Sequence, residues 1–559
     1  MISLSRRFLS EALICLACLL TGAVGSVLIG QDRFSDLRNY HLYNPWAFLH
    51  GRAMQDIVPA DLQTFFNPLP DLPVWFLGTG PLAAFPRLFA AVQGLWFGLF
   101  LILLLTLLRR AEALRSGQSS WAVFCAFLLG GSGAASICQL GLSSNEVMLA
   151  DLVLGGLILL LPHPGRGAVL RAGRLVLAGA LTGAAAGLKP TAIIYLPALT
   201  LAAGAIVFSS ARDFRASVRA MILTGLGCTG GFLAAYGWWA VHLWRMTGNP
   251  VFPMFSYLFH SDWVPPLPFT DERYKPKTLV QWLAYPFFWL QGKPMVVTEP
   301  ELADMRFAFA WLSCLVLLPL TFIPRLRRPG ISLPVRAGFL CFAIVSYVLW
   351  VKLYSILRYA IPMEALTGWM VTEALRDGCS FLRTVSVRQT LFRYTSGGLM
   401  VLAALTTRYP GFGHTHFMGR TFEIAPLPLP ENSIVLLEGR TLSYFLPFAR
   451  NTQSATFIGL NDMMQKGLEY DPGRRARALL AEPGRPVFLL RKSSEDEDDN
   501  FTGLLDALIP GARVTQCRHA PSALQRRKKD LTYEGLPVFL CRVSKEPVIY
   551  PAAEQNDHK

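Results

Sequence analysis

A helical polytopic membrane protein with a small α/β module beyond its last span is the fold class this sequence predicts. Three observations carry the prediction. Mean hydropathy is +0.38, with 52% hydrophobic and only 16% charged residues, too little charge to cover a soluble chain of 559 residues. Apolar runs of span length alternate with short arginine clusters. From about Pro410 onward the composition changes to that of a soluble domain. The formal net charge of +15 would suit nucleic acid, but its arginines sit in loops between apolar runs. That is the positive-inside pattern, so membrane lipids are the expected partner and nucleic acid is not.

A span needs about 20 apolar residues, and loop arginines mark the cytoplasmic side. Arg6 and Arg7 precede the run Phe8 to Ile29, so the N-terminus is expected inside and this run leads out. A cleaved signal peptide is the rival reading; the length of the run favours an uncleaved span. Leu88 to Leu108 returns to Arg109, Arg110 and Arg115. Trp121 to Leu140 leads out, and Val147 to Leu161 leads in to Arg166, Arg171 and Arg174.

Leu175 to Ser209 is too long for one span and ends at Arg212, Arg215 and Arg219. Two arginine-rich ends on one side require a pair of short helices turning at Gly187–Pro190. Met221 to Leu243 leads to a long outer loop, Trp244 to Arg306, and Phe307 to Ile323 returns to Arg325, Arg327 and Arg328. Ala337 to Val351, Ala360 to Leu375 and Tyr394 to Thr407 complete about eleven spans. Leu72 to Pro86, broken by glycines and prolines, reads as a helix on the outer surface, because a full span there would invert every later arginine loop.

The domains expected are a transmembrane domain over 1–408, a periplasmic α/β domain over 409–545 and a disordered tail over 546–559. In the α/β domain "SIVLL", "PVFLL" and "LPVFLCRV" read as strands. "PGRRARALLA" and "NFTGLLDALI" read as helices, opened by a proline and by Asn500 as cap. The acidic run Ser493 to Asn500 reads as a solvated loop, since calcium-binding spacing is absent. Most cysteines lie in or beside apolar runs and read as small hydrophobes, including the Cys15–Cys18 pair. Cys517 and Cys541 sit in predicted outer strands, where either a bridge or two buried thiols is open.

Outside the arginine loops, polar groups gather at the outer ends of spans. Asp36, Asn39 and His41 lie in the first outer loop, and Asn145 and Glu146 in the second. Lys189, Asp304, Arg306, Lys352, Arg358 and Glu364 follow. Ionisable groups at a membrane boundary are costly and commonly functional. Asp151 is deeper, and its expected role is pairing with a neighbouring helix.

Several stretches resemble the GT-C membrane glycosyltransferases. They are the first span followed by an Asp-bearing outer loop, "GLKPTA", "TGNPVFP" in a large outer loop, and "LRYAIPMEAL" near the last spans. The resemblance covers nearly the whole chain and is closest to bacterial members using a polyprenyl-phosphate sugar. It implies an inverting hexosyl- or pentosyltransferase of the cell inner membrane. The donor would be a polyprenyl-phosphate sugar, the acceptor a lipid, glycan or protein of the envelope, and the reaction would take place on the periplasmic face. Elementary chemistry asks for the same parts, a carboxylate to take the acceptor proton and cations where charge develops on the departing phosphate.

In that family the first outer loop carries the catalytic aspartate, and Asp36 stands in its place here. Asp32 is the near alternative, and a helix-capping role the bland one. Lys189, in a turn between apolar helices, and Arg358, with its phosphate-matching fork, are candidate donor-phosphate ligands. Snorkelling for Lys189 and a structural pair with Glu364 for Arg358 are the alternatives. Tyr40, His41 and Tyr43 are candidate acceptor or substrate contacts, or loop packing; Trp46 reads as an interface anchor. Glu146 could orient the acceptor, cap a helix, or bind a divalent cation with Asp36. The cofactor is left open, because the usual acidic pair with one intervening residue is absent. Asp304 and Arg306 read as an ion pair. Two further function classes remain: a transporter or flippase of lipid-linked glycans, and a non-catalytic envelope assembly protein.

Overall fold

The computed structural model describes residues 2–115, 118–162, 170–268, 271–326, 332–411, 413–492, 501–522, 524 and 537–545. Arg166, Arg327, Arg328, the run Ser493 to Asn500 with its cap, and the tail 546–559 lie outside the described residues. The chain forms two compact units.

The first unit comprises 1–34, 82–241 and 269–417. Its helices are α1 (Ile2–Ile29), α2 (Pro86–Ala113), α3 (Ser120–Gly131), α4 (Glu146–Leu160), α5 (Ala172–Leu188), α6 (Tyr195–Ala211) and α7 (Phe214–Thr247), whose last turns lie past this unit. After them come α8 (Leu279–Phe288), α9 (Arg306–Phe322), α10 (Leu333–Leu353), α11 (Ile361–Cys379) and α12 (Val385–Thr406). Among the described residues five helices are long and apolar enough to cross a membrane: Phe8–Ile29, Pro86–Ala113, Pro190–Ala211, Phe214–Thr247 and Leu333–Leu353. Three shorter apolar helices, Ser120–Gly131, Ala172–Leu188 and Arg306–Phe322, accompany them.

The core joins Phe100, Leu104 and Leu107 of α2 to Leu154 and Leu157 of α4, Leu199 of α6, Phe342 of α10 and Leu366 of α11, all buried. Lipid tails are as apolar as these side chains, so interlocking shape rather than escape from water holds such helices together. Glycine makes the closest contacts possible. Gly179, Gly183 and Gly187 fall at four-residue spacing on one stripe of α5, and a Cβ on them would meet backbone atoms of Thr224, Cys228 and Phe232 on α7. From the other side, Gly227 and Gly231 of α7 face the carbonyls of Val176 and Ala180. The two backbones therefore touch.

The stretch Trp121 to Leu140 is not one helix. α3 ends at Gly131, and a four-residue helix, Ala134–Ile137, follows the break at Ser132–Gly133. The sequence "GGSG" removes three side chains that would stiffen the turn, and the backbone at Gly133 lies against the Glu364 carboxyl, where no Cβ would fit. The paired short helices expected between Leu175 and Ser209 are α5 and α6, joined through a tight helical turn at Pro190–Ile194.

The second unit comprises 35–81, 242–268 and 418–559. Its sheet contains β1 (Ile434–Glu438), β2 (Thr456–Leu460), β3 (Val487–Lys492), β4 (Ala512–His519) and β5 (Val538–Lys545). The order is β2-β1-β3-β5-β4, with β2, β1 and β3 parallel and the last two pairings antiparallel. β1 and β2 are buried at every position, as near-continuous apolar runs in parallel sheets require. Helix Asp471–Ala481 opens on Pro472 and buries Ala476 and Leu480, one turn apart, with Arg477 between them only half-buried. A disulfide joins Cys517 of β4 to Cys541 of β5.

The loop after α1, in its part 35–81, belongs to this sheet's architecture. Ile57 donates its N–H to Phe457 O and accepts from Gly459 N, a one-residue parallel bridge on the free edge of β2. An open sheet edge is thereby covered. The segment Leu72 to Pro86 contributes an eight-residue helix, Leu72–Thr79.

Candidate functional site

In the first unit a cation cluster forms where α5 stops. Lys189 precedes Pro190, whose ring disfavours helical backbone at the preceding residue. Lys189 accordingly leaves the helix with φ −146° and ψ 122°. Its ammonium donates to Glu146 Oε1 at 2.6 Å and to the Ser144 carbonyl at 2.9 Å. Glu146 is the first residue of α4, reached through Asn145 in left-handed conformation (φ 69°), a geometry asparagine tolerates better than most residues.

Arg358 approaches the same oxygen, with Nε 3.4 Å from Glu146 Oε1. Its guanidinium lies 5.3 Å from the ring centroids of both Phe34 and Tyr359. Glu146 and Lys189 are only 4% and 5% exposed. Two cations thus converge on one buried carboxylate, whose other oxygen, Oε2, has no hydrogen-bond partner among the described residues. From this charged head runs a narrow cleft lined by Leu149, Ala150 and Val153 of α4, together with Ala192, Tyr195 and Pro362. Tyr195 closes one wall by donating to Tyr359 O at 2.5 Å.

A polar web fixes the loop before α4. Asp32 accepts from Phe34 N at 2.8 Å, from Ser143 N at 2.8 Å and from Ser143 Oγ at 2.7 Å. Ser144 Oγ donates to Gln139 Oε1 at 2.5 Å. Gln31–Asp32 and His414–Thr415 form a short antiparallel ladder, and His414 Nε2 lies 3.0 Å from Leu140 O. Asp32 is a buried latch with both carboxylate oxygens engaged.

The remaining outer-end charges are brought together elsewhere. Arg306 pairs with Asp304 at 2.9 Å and donates to Thr407 and Ser132. Asp304 Oδ2 accepts from Ala134 N, and Glu364 accepts from Ala135 N, Ser136 N and Ser136 Oγ. These carboxylates satisfy the amides at the start of Ala134–Ile137, which a helix of that length leaves open. Glu364 therefore serves the glycine break, and Arg358 serves Glu146. Asp151, expected to pair with a neighbouring helix, is buried, and neither of its oxygens has a hydrogen-bond partner among the described residues.

In the second unit, Asp36 is partly buried and precedes a short helical turn, Leu37–His41, without a side-chain capping bond to it. Tyr40, His41 and Tyr43 are buried. His41 Nδ1 lies 2.6 Å from Asp71 Oδ1. Tyr43 donates to Asp56 at 2.8 Å. Burial, reinforced by the neighbouring Asp56 charge, pushes the Tyr43 phenol well above its usual range, so it stays a donor.

Arg52, 2% exposed, donates to both oxygens of Asp56 at 2.8 and 2.7 Å and to the carbonyls of Thr452 and Ala455 at 2.6 and 2.8 Å. Its planar face lies 4.9 Å from Trp46 and 4.8 Å from Phe457. Trp46 is buried in this stack. Asp56 also accepts from Phe457 N, and Asp61 from Met463 N. Among the described residues no group of three or more His, Cys, Asp or Glu is placed to hold a metal ion. Asp36 and Glu146 fall in different units.

Sequence reasoning singled out Lys189, Arg358 and Glu146 one by one but not their convergence. Phe34, Ser143, Tyr195 and Tyr359 were missed. The one signal available was charge parity, with a lone glutamate and two lone cations at the ends of apolar helices.

Neither a protein-family model nor a curated protein matches the chain. Solved structures do. The crystal structure of ArnT from Cupriavidus metallidurans bound to undecaprenyl phosphate superposes with a TM-score of 0.50 at 15% identity, covering 95% of this chain and 97% of that one. The apo state of the same protein gives a TM-score of 0.49 at 13% identity, over 96% and 98%. An oligosaccharyltransferase from Archaeoglobus fulgidus, tethered to an acceptor peptide containing an NVT sequon, gives 0.46 at 11% identity, over 86% and 69%. The chain thus has the fold of the solved ArnT structure over nearly its whole length, with a small C-terminal β-sheet domain.

Proposed function

We propose that this protein is a membrane glycosyltransferase that moves a sugar from a polyprenyl-phosphate donor to a cell-envelope acceptor on the outer face, with inversion at the anomeric carbon. One observation carries the reading: a narrow, mostly apolar cleft lined by Glu146 and the half-buried Arg358, with Lys189 bound to the same Glu146 carboxylate. Such a site matches an amphiphile with a thin apolar tail and an anionic head. The undecaprenyl phosphate bound to ArnT, a protein of the same fold, supports the same ligand class.

Lys189 and Arg358 would hold the donor phosphate. The flat guanidinium offers paired N–H groups and the ammonium a compact charge, both aimed where negative charge builds as the sugar departs. Asp36 is the proposed base. Asp32, the alternative, already accepts three hydrogen bonds that hold the loop before α4. Tyr40, His41 and Tyr43 are buried in the loop, a placement that favours shaping it over touching the acceptor.

The test is sugar transfer by purified protein with a lipid-linked donor. Asp36→Asn should retain expression and donor binding but lose at least the roughly 10²–10⁴-fold typical of general-base removal. Near-normal turnover by the folded Asn variant would remove Asp36 from the mechanism and return a flippase to first place.

A further inference from the structure

The C-terminal sheet carries a groove that the donor site leaves unused. It is an open cavity of about 590 Å³ between the turn at 482–486, which leads into β3, and strands β4 and β5. That volume falls within the roughly 300–1,000 Å³ of small-molecule sites. We infer that this groove binds a glycan whose sugar carries a carboxylate or a phosphate, with Arg542 as the ligand to the anion.

The groove holds two arginines, and only one of them is open. Arg485, on the turn, is engaged by its own wall: it donates to Asn432 O at 3.0 Å, to Thr456 Oγ1 at 3.0 Å and to Glu482 Oε2 at 3.1 Å. That pairing also offsets the Glu482 charge, which would otherwise repel an anion. Arg542, on β5, is exposed, and its guanidinium has no hydrogen-bond or ion-pair partner among the described residues. A flat fork of N–H groups in a concave surface fits the paired oxygens of a carboxylate or phosphate. Thr515 stands directly across from Arg542 in the β4–β5 ladder, and Gln516 follows it. Both side chains are exposed and line the groove. A hydroxyl and an amide beside a cation can both donate to and accept from a polyhydroxylated ligand. An apolar ligand would strip water from these groups without replacing its hydrogen bonds.

The walls are set before anything binds. Gln516 lies at the register shift between Thr515 and Arg518 with φ 49°, a left-handed backbone that few side chains adopt. Strained residues of this kind cluster at ligand sites. The disulfide joins Cys517 to Cys541, the neighbours of Gln516 and Arg542, and so ties the two ligand residues together. On the opposite wall Pro483 and Pro486 stiffen the turn and offer an apolar face to a sugar ring. Such pre-organisation lowers the entropic cost of binding. The register shift also interrupts β4, the outer strand of the sheet, which disfavours an added peptide strand there.

The experiment uses the full chain in detergent and reads binding by calorimetry. Its probes are trigalacturonate, a glucose monophosphate, maltotriose, inorganic phosphate and tetraglutamate. At least one of the two anionic sugars should bind about tenfold more tightly than neutral maltotriose, and the tighter of the two tells carboxylate from phosphate. Arg542→Gln should weaken that binding by about ten- to a hundredfold, the loss expected when a charge-assisted hydrogen bond is removed. Its thermal midpoint should stay unchanged, because the side chain is exposed. Arg542→Lys, which keeps the charge but not the fork, should lose less.

Unchanged affinity in Arg542→Gln would overturn the site, as would no binding of either anionic sugar or equal binding of maltotriose. Inorganic phosphate or tetraglutamate bound as tightly as the better sugar would overturn the glycan. None of these outcomes involves Lys189 or Arg358, so the donor site is judged separately.

Discussion

Replacing Arg52 by methionine tests whether the loop 35–81 is held by buried ionic contacts with the C-terminal sheet. The side chain makes four hydrogen bonds, two to Asp56 and two to carbonyls at 452 and 455. The Arg52 and Asp56 side chains are only 2% and 1% exposed. Methionine fills part of the space between Trp46 and Phe457 but leaves Asp56 with Tyr43 and Phe457 N alone. Breaking a buried pair on one side costs about 3–5 kcal/mol, or roughly 10²- to 5 × 10³-fold in the population of the opened loop.

Amide exchange at Ile57 and Gly459, the two hydrogen bonds of the edge bridge, should accelerate by that factor. The loss should also depend on pH. Burial is the largest influence on Asp56 and pushes its carboxyl above the usual range, opposed by Arg52 and then Tyr43. Without Arg52 the upward push grows. A carboxyl whose folded pKa exceeds its unfolded value, about 3.9, favours folding below that value and loses the contribution as pH rises through the folded pKa. The variant should therefore recover as pH falls toward 4, and Arg52→Met combined with Asp56→Asn should recover part of the loss at neutral pH. Unchanged exchange at Ile57 and Gly459 in the single variant at neutral pH would refute the argument.

Two further outcomes follow from the packing. Gly183→Val should force α5 from α7 and lower thermal stability by about 1–3 kcal/mol, weakening farnesyl phosphate binding because α5 delivers Lys189. Gly225→Val, at a position on α7 with nothing within 4 Å of a new Cβ, should do neither, and equal loss in both would refute the glycine contact. Mass mapping without reductant should recover Cys517 and Cys541 as one linked pair. Serine at both positions should cost about 3 kcal/mol in the chain-entropy view for a separation of 24 residues.

Local signals were legible where local physics decides. The strands at 434–438 and 487–492, the helix at 471–481 and the break at Lys189–Pro190 all follow from apolar runs, proline placement and arginine position. The glycine spacing on α5 is visible in "GALTGAAAG", although its partner helix is not. What could not be read were contacts between distant residues. Tyr43 looks like site chemistry in sequence because a short polar loop has no evident local use for it, yet it donates to Asp56 only 13 residues on. Arg52 and Asp56 in turn bind partners some 400 residues away, as in Phe457 N to Asp56 at a separation of 401. Lys189 looked as though it needed a lipid phosphate, because a glutamate 43 residues earlier could not be placed beside it from spacing alone.

The docking of the loop 35–81 on the C-terminal sheet also sets an order in time. The loop is made early, and Arg52, Asp56 and Asp61 reach their partners at 452–463 only when most of the chain has followed, since the separations run from 400 to 403 residues. At roughly 5–20 residues per second that interval is on the order of 20–80 s. Throughout it the loop stands exposed with its arginine and aspartates hydrated and the edge residue Ile57 unpaired. The helices of the membrane unit can assemble meanwhile, but the loop cannot take its final shape. Maturation of this protein is therefore gated by its own C-terminal end, and a chain truncated within the sheet would insert normally yet never mature.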